Sequence, residues 1–268
     1  MKVSVVIPCY NAEKWIWDCV SSVIKQDYND VEIIIVDDCS TDKSLEVIAQ
    51  LQRLYGGIKL IENPVNLGEC KTSDIGFKNA HGKYVCRLSA DDAFVNKDHI
   101  SKQVDAMEKT NADWCYNNIN LIGESINKAT VCTTSWTPIP IRYSVNIFYI
   151  FDNIFLKFPR ICYLIAGVRN PINSSALMFR ASTMLSWDSD LRSVCDGTLL
   201  AKMFLAGHKG CAIHSMGAFY RIHPDQATGK EPTNKIHMVV KKRIYNNPSL
   251  PTWMKICSCI IKRLYDIR

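Results

Sequence analysis

The sequence predicts an α/β protein with a mostly parallel central sheet flanked by helices. Three observations predict it. Short continuous apolar runs rich in β-branched residues, "VSVVIPCY" (3–10) and "VEIIIVDD" (31–38), have the composition of parallel strands buried on both faces. Between such runs, apolar residues recur at helical spacing, so strand and helix alternate through the first half. Polar and acidic residues gather at three strand ends, "PCYN" (8–11), "DDCSTD" (37–42) and "SADD" (89–92), where an open parallel sheet receives its ligand.

The elements follow in order. After the strand at 3–10, Trp15, Ile16, Cys19, Val20, Val23 and Ile24 mark a helix. After the strand at 31–38, a second helix runs from about Lys43 to Tyr55, with Leu45, Ile48, Leu51 and Tyr55 on one face and Gly56 as its stop. "IKLIE" is a third strand, 68–80 a helix ended by Gly82, and "KYVCRL" a fourth strand. Right-handed crossovers between parallel strands put these helices on both faces. After "DWCYNNINLIG" (113–123) the pattern loosens, and 124–165 includes an aromatic-rich stretch compatible with helix. "SALMF" (175–179) reads as a strand. A helix opens at Asp196, with Leu199, Leu200, Met203 and Phe204 toward the core and Gly207 as its stop. A last strand, "GAFYRI", leads into "HPDQAT".

Composition narrows the class. The 268 residues, 47% hydrophobic, suit one α/β domain with a substantial core. The most apolar stretch, 145–168, is interrupted by Asp152, Lys157, Pro159 and Arg160, so no membrane-spanning helix is expected. The first residues read as a strand rather than a signal peptide. Twelve cysteines include no CxxC pair, and Cys86, Cys115 and Cys162 lie in apolar runs. Reduced core thiols in a cytoplasmic protein are the expectation.

The net charge of +6 is localised: residues 235–268 hold eight bases and one acid, leaving the remainder at −1. From Pro251 onward, Trp253, Ile256, Cys257, Ile260, Leu264 and Ile267 recur at helical spacing, with Lys255, Ser258, Lys262 and Asp266 opposite. Such a helix suits the surface of an anionic membrane, or packing on its own domain with a solvated basic face. No basic, aromatic groove is evident in the domain, so no nucleic-acid partner is expected.

Neither GxGxxG nor GxxxxGK[ST] occurs, so phosphates must be handled without a glycine-rich cradle. Hard divalent cations prefer carboxylate ligands and neutralise a diphosphate. Asp37 and Asp38 at one strand end, with Asp91 and Asp92 at another, suit a nucleotide diphosphate held through base, ribose and metal. Each acid taken singly reads as a turn or helix cap; two clusters at corresponding strand ends read as a site.

"VSVVIPCYNAEKWIWDCVSSVIKQ", "EIIIVDDCSTDKS", "NLGE", "NAHGKYVCRLSADD" and "YRIHPDQAT" together resemble the inverting glycosyltransferases of family 2, of the GT-A fold. The resemblance is strong over 1–125 and moderate over 170–230. It implies a Rossmann-like nucleotide-sugar half (1–123), an acceptor half (124–231) and a basic tail (232–268). It implies a nucleotide diphosphate sugar donor, with UDP-sugar expected, and Mn2+ or Mg2+. It also implies a glycan or lipid-linked acceptor at the cytoplasmic membrane face. Carried over by position, Pro8, Tyr10, Asn11 and Asp37 hold the nucleotide base, and Asp91 and Asp92 divide between ribose and metal. The resemblance thereby implies Asp91 at the ribose and Asp92 at the metal, and alternation along a strand, which turns neighbouring side chains to opposite faces, supports one acid for each role.

An inverting transferase needs a base for the acceptor hydroxyl. The family takes it from an acidic pair before a helix; here the pair reads Cys195–Asp196, and Asp196 is the expected base as well as a natural N-cap. Asp188 and Asp190 are the fallback candidates. His223 is a candidate second metal ligand, and Arg221 a candidate phosphate contact. The other histidines, His81 and His99 among them, are expected on the surface. Three positions depart from the family pattern: Ser89 for Asp, Ser73 for Arg and Cys195 for Glu. A serine at position 73 cannot reach a phosphate as arginine does, and Lys71 nearby is a candidate to take that part. Ser73 and Cys195 keep open a non-catalytic nucleotide-sugar-binding protein. A sugar nucleotidyltransferase would need a glycine-rich basic loop after the first strand, which "PCYNAEKW" lacks.

Overall fold

The computed structural model describes residues 1–123, 159–168, 173–188, 190–191, 196–226, 239 and 241–264. The stretch 124–158, Cys195, residues 227–238 with Lys235, and Asp266 to Arg268 lie outside the described residues.

β1 (Val3–Cys9), β2 (Val31–Asp37) and β3 (Ile58–Glu62) are parallel, and α1 (Ile16–Ile24) and α2 (Ser44–Tyr55) connect them. α3 (Glu69–Lys78) leads into β4 (Tyr84–Arg87), parallel to β1 with Tyr84 opposite Val3. Beyond β4 come β5 (Ala93–Phe94), α4 (His99–Thr110), β6 (Trp114–Ile122) and α5 (Pro159–Val168). A 3-10 turn at Ser174–Ala176 precedes β7 (Leu177–Arg180); α6 (Asp196–Leu205), β8 (Gly210–Arg221) and α7 (Thr252–Leu264) follow. The strands form one sheet in the order β3-β2-β1-β4-β7-β6-β8-β5. β7 is antiparallel to both its neighbours, β8 is parallel to β6, and β5 is antiparallel to β8.

Pleat periodicity divides the core between the two faces of the sheet. Val3, Val5 and Ile7 of β1 join Ile33 and Ile35 of β2, with Ile16, Val20, Ile48, Leu51, Val104 and Met107 from α1, α2 and α4. Val6 turns to the other face, with Phe77 of α3, Val85, Trp114, and residues of α5, α6 and α7. Gly76 lets α3 come close to the sheet: a Cβ there would stand 2.3 Å from Val6 Cγ1 and 3.2 Å from Val36 Cγ2.

Four features depart from the sequence reading. β5 and α4 have no counterpart in it, because α4 fills two of its buried positions with His99 and Gln103, which obscures the stripe of Ile100, Val104 and Met107. His99 is accordingly not on the surface. It is buried against Phe94 at 4.4 Å between ring centroids, and burial pushes its imidazole down to about 3. β8 begins at Gly210, well before "GAFYRI", because "CAIHSM" alternates too weakly to reveal a strand. Finally, nine cysteines are free among the described residues, and Cys70 is disulfide-bonded. Cysteine usage therefore does not by itself assign the chain to a reducing compartment.

No helix among the described residues is long and apolar enough to cross a membrane. The tail helix α7 packs on the domain, with Met254 and Ser258 buried and Ile261 against the core. It leaves Trp253, Ile256 and Ile260 exposed.

Candidate functional site

A cleft of about 700 Å3 opens beyond the carboxyl ends of β1, β2 and β4, a volume in the range of small-molecule sites. At one end, the loops after β1 and β2 lock together through reciprocal hydrogen bonds. Asn11 has φ 49°, a left-handed conformation that asparagine tolerates. Its N–H donates to Ser40 Oγ at 3.0 Å and its Oδ1 accepts from Thr41 N–H at 2.8 Å. Glu13 N–H donates to Asp42 at 3.0 Å, and Lys43 N–H returns to Glu13 at 2.9 Å. Pro8, Tyr10, Asn11 and Lys14 line the cleft here.

The first acidic pair divides its work. Asp37 is spent on its own turn, accepting from Ser40 N–H at 2.9 Å and from Ser40 Oγ, and it is not on the cleft wall. Asp38 is on the wall. Its carboxylate accepts from Leu67 N–H and Gly68 N–H, each at 2.8 Å, and from Asn63 Nδ2 at 2.9 Å. It thereby fixes the loop that carries the chain into α3.

The second pair is split between the cleft and the interior, whereas the sequence reading expects both acids at the cleft. Asp91 lines the cleft, with Oδ2 3.1 Å from His223 Nε2, and the His223 ring packs against Trp15 at 3.9 Å between centroids. Asp92 is 1% exposed and off the cleft wall; it accepts from Arg221 N–H at 3.0 Å and from the Ser175 hydroxyl. Burial, reinforced by the Asp91 charge, pushes the Asp92 carboxyl well above the usual carboxylate range. The physical reason is local. β4 ends at Arg87, and residues 88–92 form a turn closed by Asp92 N–H to Ser89 C=O at 3.0 Å, so strand alternation does not apply. Arg221, also buried, braces this turn by donating from Nε to Asp91 C=O at 2.7 Å, and it too is off the cleft wall.

At the far end the cleft is lined by Glu69, Arg87, Asn173, Ser174, Trp187 and Asp196. Arg87 is 1% exposed, ion-pairs with Glu69, and donates to Ser73 Oγ at 3.2 Å, Ser89 Oγ at 3.1 Å and Ser174 Oγ. Its guanidinium also faces the Trp187 ring at 5.6 Å. Two of the three departures from the family pattern, Ser73 and Ser89, thus converge on one buried cation. Asp196 is the first residue of α6, and its Oδ1 accepts from Gly197 N–H at 2.8 Å. Burial and the neighbouring Glu69 charge raise its carboxyl to about 6, against the opposing pull of Gly197 N–H and Arg87.

Among the described residues of the cleft, one pair fits a divalent cation. Donors on adjacent corners of an octahedral ion with ~2.1 Å bonds lie about 3 Å apart, which is the spacing of Asp91 Oδ2 and His223 Nε2. No group of three or more His, Cys, Asp or Glu among the described residues forms a cage of its own. An ion here would take its remaining ligands from substrate and water, as Mg2+ does.

The sequence profile described as glycosyl transferase family 2 matches residues 4–176, more than half of the chain. The chain belongs to glycosyl transferase family 2. An uncharacterised glycosyltransferase of Haemophilus influenzae is 32% identical over 133 residues, covering 50% of this chain and 53% of that protein. The chain thus spans about half the length of this curated relative. The crystal structure of Staphylococcus aureus TarS 1–349 in complex with UDP-GlcNAc superposes with a TM-score of 0.70 at 19% identity, over 99% of this chain and 73% of that one. The mannosyltransferase PcManGT of Pyrobaculum calidifontis, in complex with GDP-Man and Mn2+, also gives 0.70, at 14% identity over 98% and 70%. The fold is GT-A.

Of the residues expected from sequence, the glycosyl transferase cleft brings together Pro8, Tyr10, Asn11, Asp91, Asp196 and His223. Asp37, Asp92 and Arg221 support the wall from behind. Lys71 is exposed and off the wall. Asp188 and Asp190 are also off it: Asp188 pairs with Lys202 and, at 3.3 Å, with Arg243, which also holds Asp190. Sequence reasoning missed Lys14, Asp38 in its wall position, Glu69, Arg87 and Trp187. Arg87 had a signal, a single charge inside the apolar strand "YVCRL".

Proposed function

We propose that this chain moves a sugar from a nucleotide diphosphate sugar, a UDP-sugar being the expected donor, to a hydroxyl of a glycan or lipid-linked acceptor, with inversion at the anomeric carbon. The observation that carries the reading is Asp196, a carboxylate raised to about 6 in the same cleft as Asp91 and His223. A base with a value close to the working pH is charged yet still takes a proton readily. In the reaction the acceptor oxygen bonds to the anomeric carbon and the bond to the diphosphate oxygen breaks. The hydroxyl proton passes to Asp196, and the nucleoside diphosphate leaves.

Each remaining residue has a part. Pro8, Tyr10, Asn11 and Asp38 frame the base, with Asp37 holding the turn behind them. Asp91 and His223 hold Mn2+ or Mg2+, where the resemblance implies Asp92 with His223, while Asp92 and Arg221 keep the Asp91 turn in register. A bound divalent cation would supply positive charge to the departing diphosphate. Lys14 adds a second positive group on the wall. The basic tail is assigned to the cytoplasmic face of an anionic membrane, where a lipid-linked acceptor would be held.

Release of free nucleoside diphosphate from a panel of donors, with and without Mn2+, tests the reading. Turnover of at least one donor that is lost in Asp196→Asn supports it. Nucleotide binding without any turnover would favour the non-catalytic binding protein.

A further inference from the structure

The tail helix α7 carries two apolar stripes, and the domain covers one of them. Met254 and Ser258 are buried, and Ile261 packs against the core cluster that includes α5. Trp253, Ile256 and Ile260, at positions i, i+3 and i+7, form a second stripe that is 44%, 59% and 54% exposed. Contiguous exposed apolar residues of this kind mark a contact surface, whereas single ones do not.

Charge indicates what covers the stripe. Residues 235–268 hold eight bases against one acid, while the rest of the chain is at −1. Arg243 is matched by Asp188 and Asp190, and Lys262 donates to Asn246 Oδ1 at 2.7 Å. Lys255, on the helix itself, and Lys242, shortly before it, are exposed. A second copy docked stripe to stripe would bring two strongly basic segments together, which is repulsive. An anionic surface would be attracted by the same charge that drives two copies apart.

We propose that α7 is the face by which the protein lies on an anionic lipid surface. Trp253, Ile256 and Ile260 enter the boundary between headgroups and acyl chains, while Lys242 and Lys255 meet lipid phosphates. Trp253, apolar in body with one N–H donor, suits that boundary. The helix lies flat because its other stripe is anchored to the domain. The inference rests on the membrane placement proposed for the tail, and not on turnover at the cleft.

Co-sedimentation of the full chain with vesicles of phosphatidylcholine, or of phosphatidylcholine with phosphatidylglycerol, tests it. Binding should require phosphatidylglycerol and fall in 0.5 M salt, the expected screening effect. The double variant Ile256→Ser/Ile260→Ser should bind at least about ten-fold more weakly, as expected for lost apolar burial. Lys242→Gln/Lys255→Gln should lose roughly five-fold per charge removed. All four side chains are exposed, so the melting temperature should be unchanged; if the isoleucine variant unfolds, the lysine variant decides alone. Equal binding to both vesicle types, or unchanged binding by the deciding variant, overturns the proposal. So does absence of vesicle binding together with a dimer, seen by light scattering, that the isoleucine substitutions dissociate. Nucleoside diphosphate release is measured without vesicles, so failure of this face and failure of the proposed reaction remain distinguishable.

Discussion

His223 Nε2 stands 3.1 Å from Asp91 Oδ2, although 132 residues separate them in the chain. The contact joins the turn after β4 to the segment after β8, and both partners face the cleft. Asp91→Asn and His223→Ala should each weaken Mn2+ binding by about ten-fold or more, because an ion with few protein ligands loses much with either. Titration calorimetry with Mn2+ in the presence of UDP reads this directly. Unchanged affinity in both variants would remove the pair from metal binding.

Asp92 should behave differently. Its carboxylate accepts from Arg221 N–H and the Ser175 hydroxyl in a dry setting. Asp92→Ala should cost about 1–3 kcal/mol of stability by leaving those donors unmatched, seen as a lower urea midpoint. Asp92→Asn should cost less, since a neutral amide retains an acceptor oxygen and burial already disfavours the charge. Loss of Mn2+ affinity in a folded Asp92→Asn protein would instead restore the assignment implied by the family resemblance.

The raised carboxyl of Asp196 sets an expected pH dependence. Its folded value of about 6 lies above the unfolded 3.8, so the neutral form is favoured by folding. Its contribution to stability is greatest at low pH and is lost as pH rises through about 6. As the proposed base, Asp196 would act in its charged form, so turnover should climb with pH through the same window. Glu69→Gln removes a repelling charge and frees Arg87 to attract Asp196, and the acid limb should move to lower pH. Asp196→Asn should reduce turnover by about 10²–10⁴ with nucleotide binding retained. An acid limb that stays in place in Glu69→Gln would separate Glu69 from Asp196.

Gly76→Ala tests the packing of α3 on the sheet. The added methyl would meet the branched, buried side chain of Val6 at 2.3 Å. Valine has little rotamer freedom with which to yield. A cost of about 1–3 kcal/mol is expected, read as a lower melting temperature with the cleft residues unchanged.

The parts of the fold legible in the sequence are those where one physical rule acts alone. β1 to β4 and α1 to α3 could be read because buried parallel strands are continuously apolar and their helices carry clean stripes. α4 could not, because Gln103 and His99 occupy core positions. Gln103 is satisfied there by donating to Asn117 Oδ1 and Ala176 C=O, each at 3.0 Å. Those partners are distant in sequence, so nothing local announces them. The same holds at the site. Strand ends pointed to the right acids, yet which member of each pair faces the cleft depends on turns closed by Ser40 and Ser89. Alternation stops where a strand stops.

The bracing of the Asp91 turn by Arg221, 130 residues downstream, has a consequence for the order in which the protein can be made. A growing chain has β1 to β4 in hand early, and local pairing can assemble that portion of the sheet. The acid turn stays without its brace until β8 has been synthesised and laid beside β6. A nascent chain released before residue 221 would own most of the cleft wall and still lack a fixed Asp91 turn.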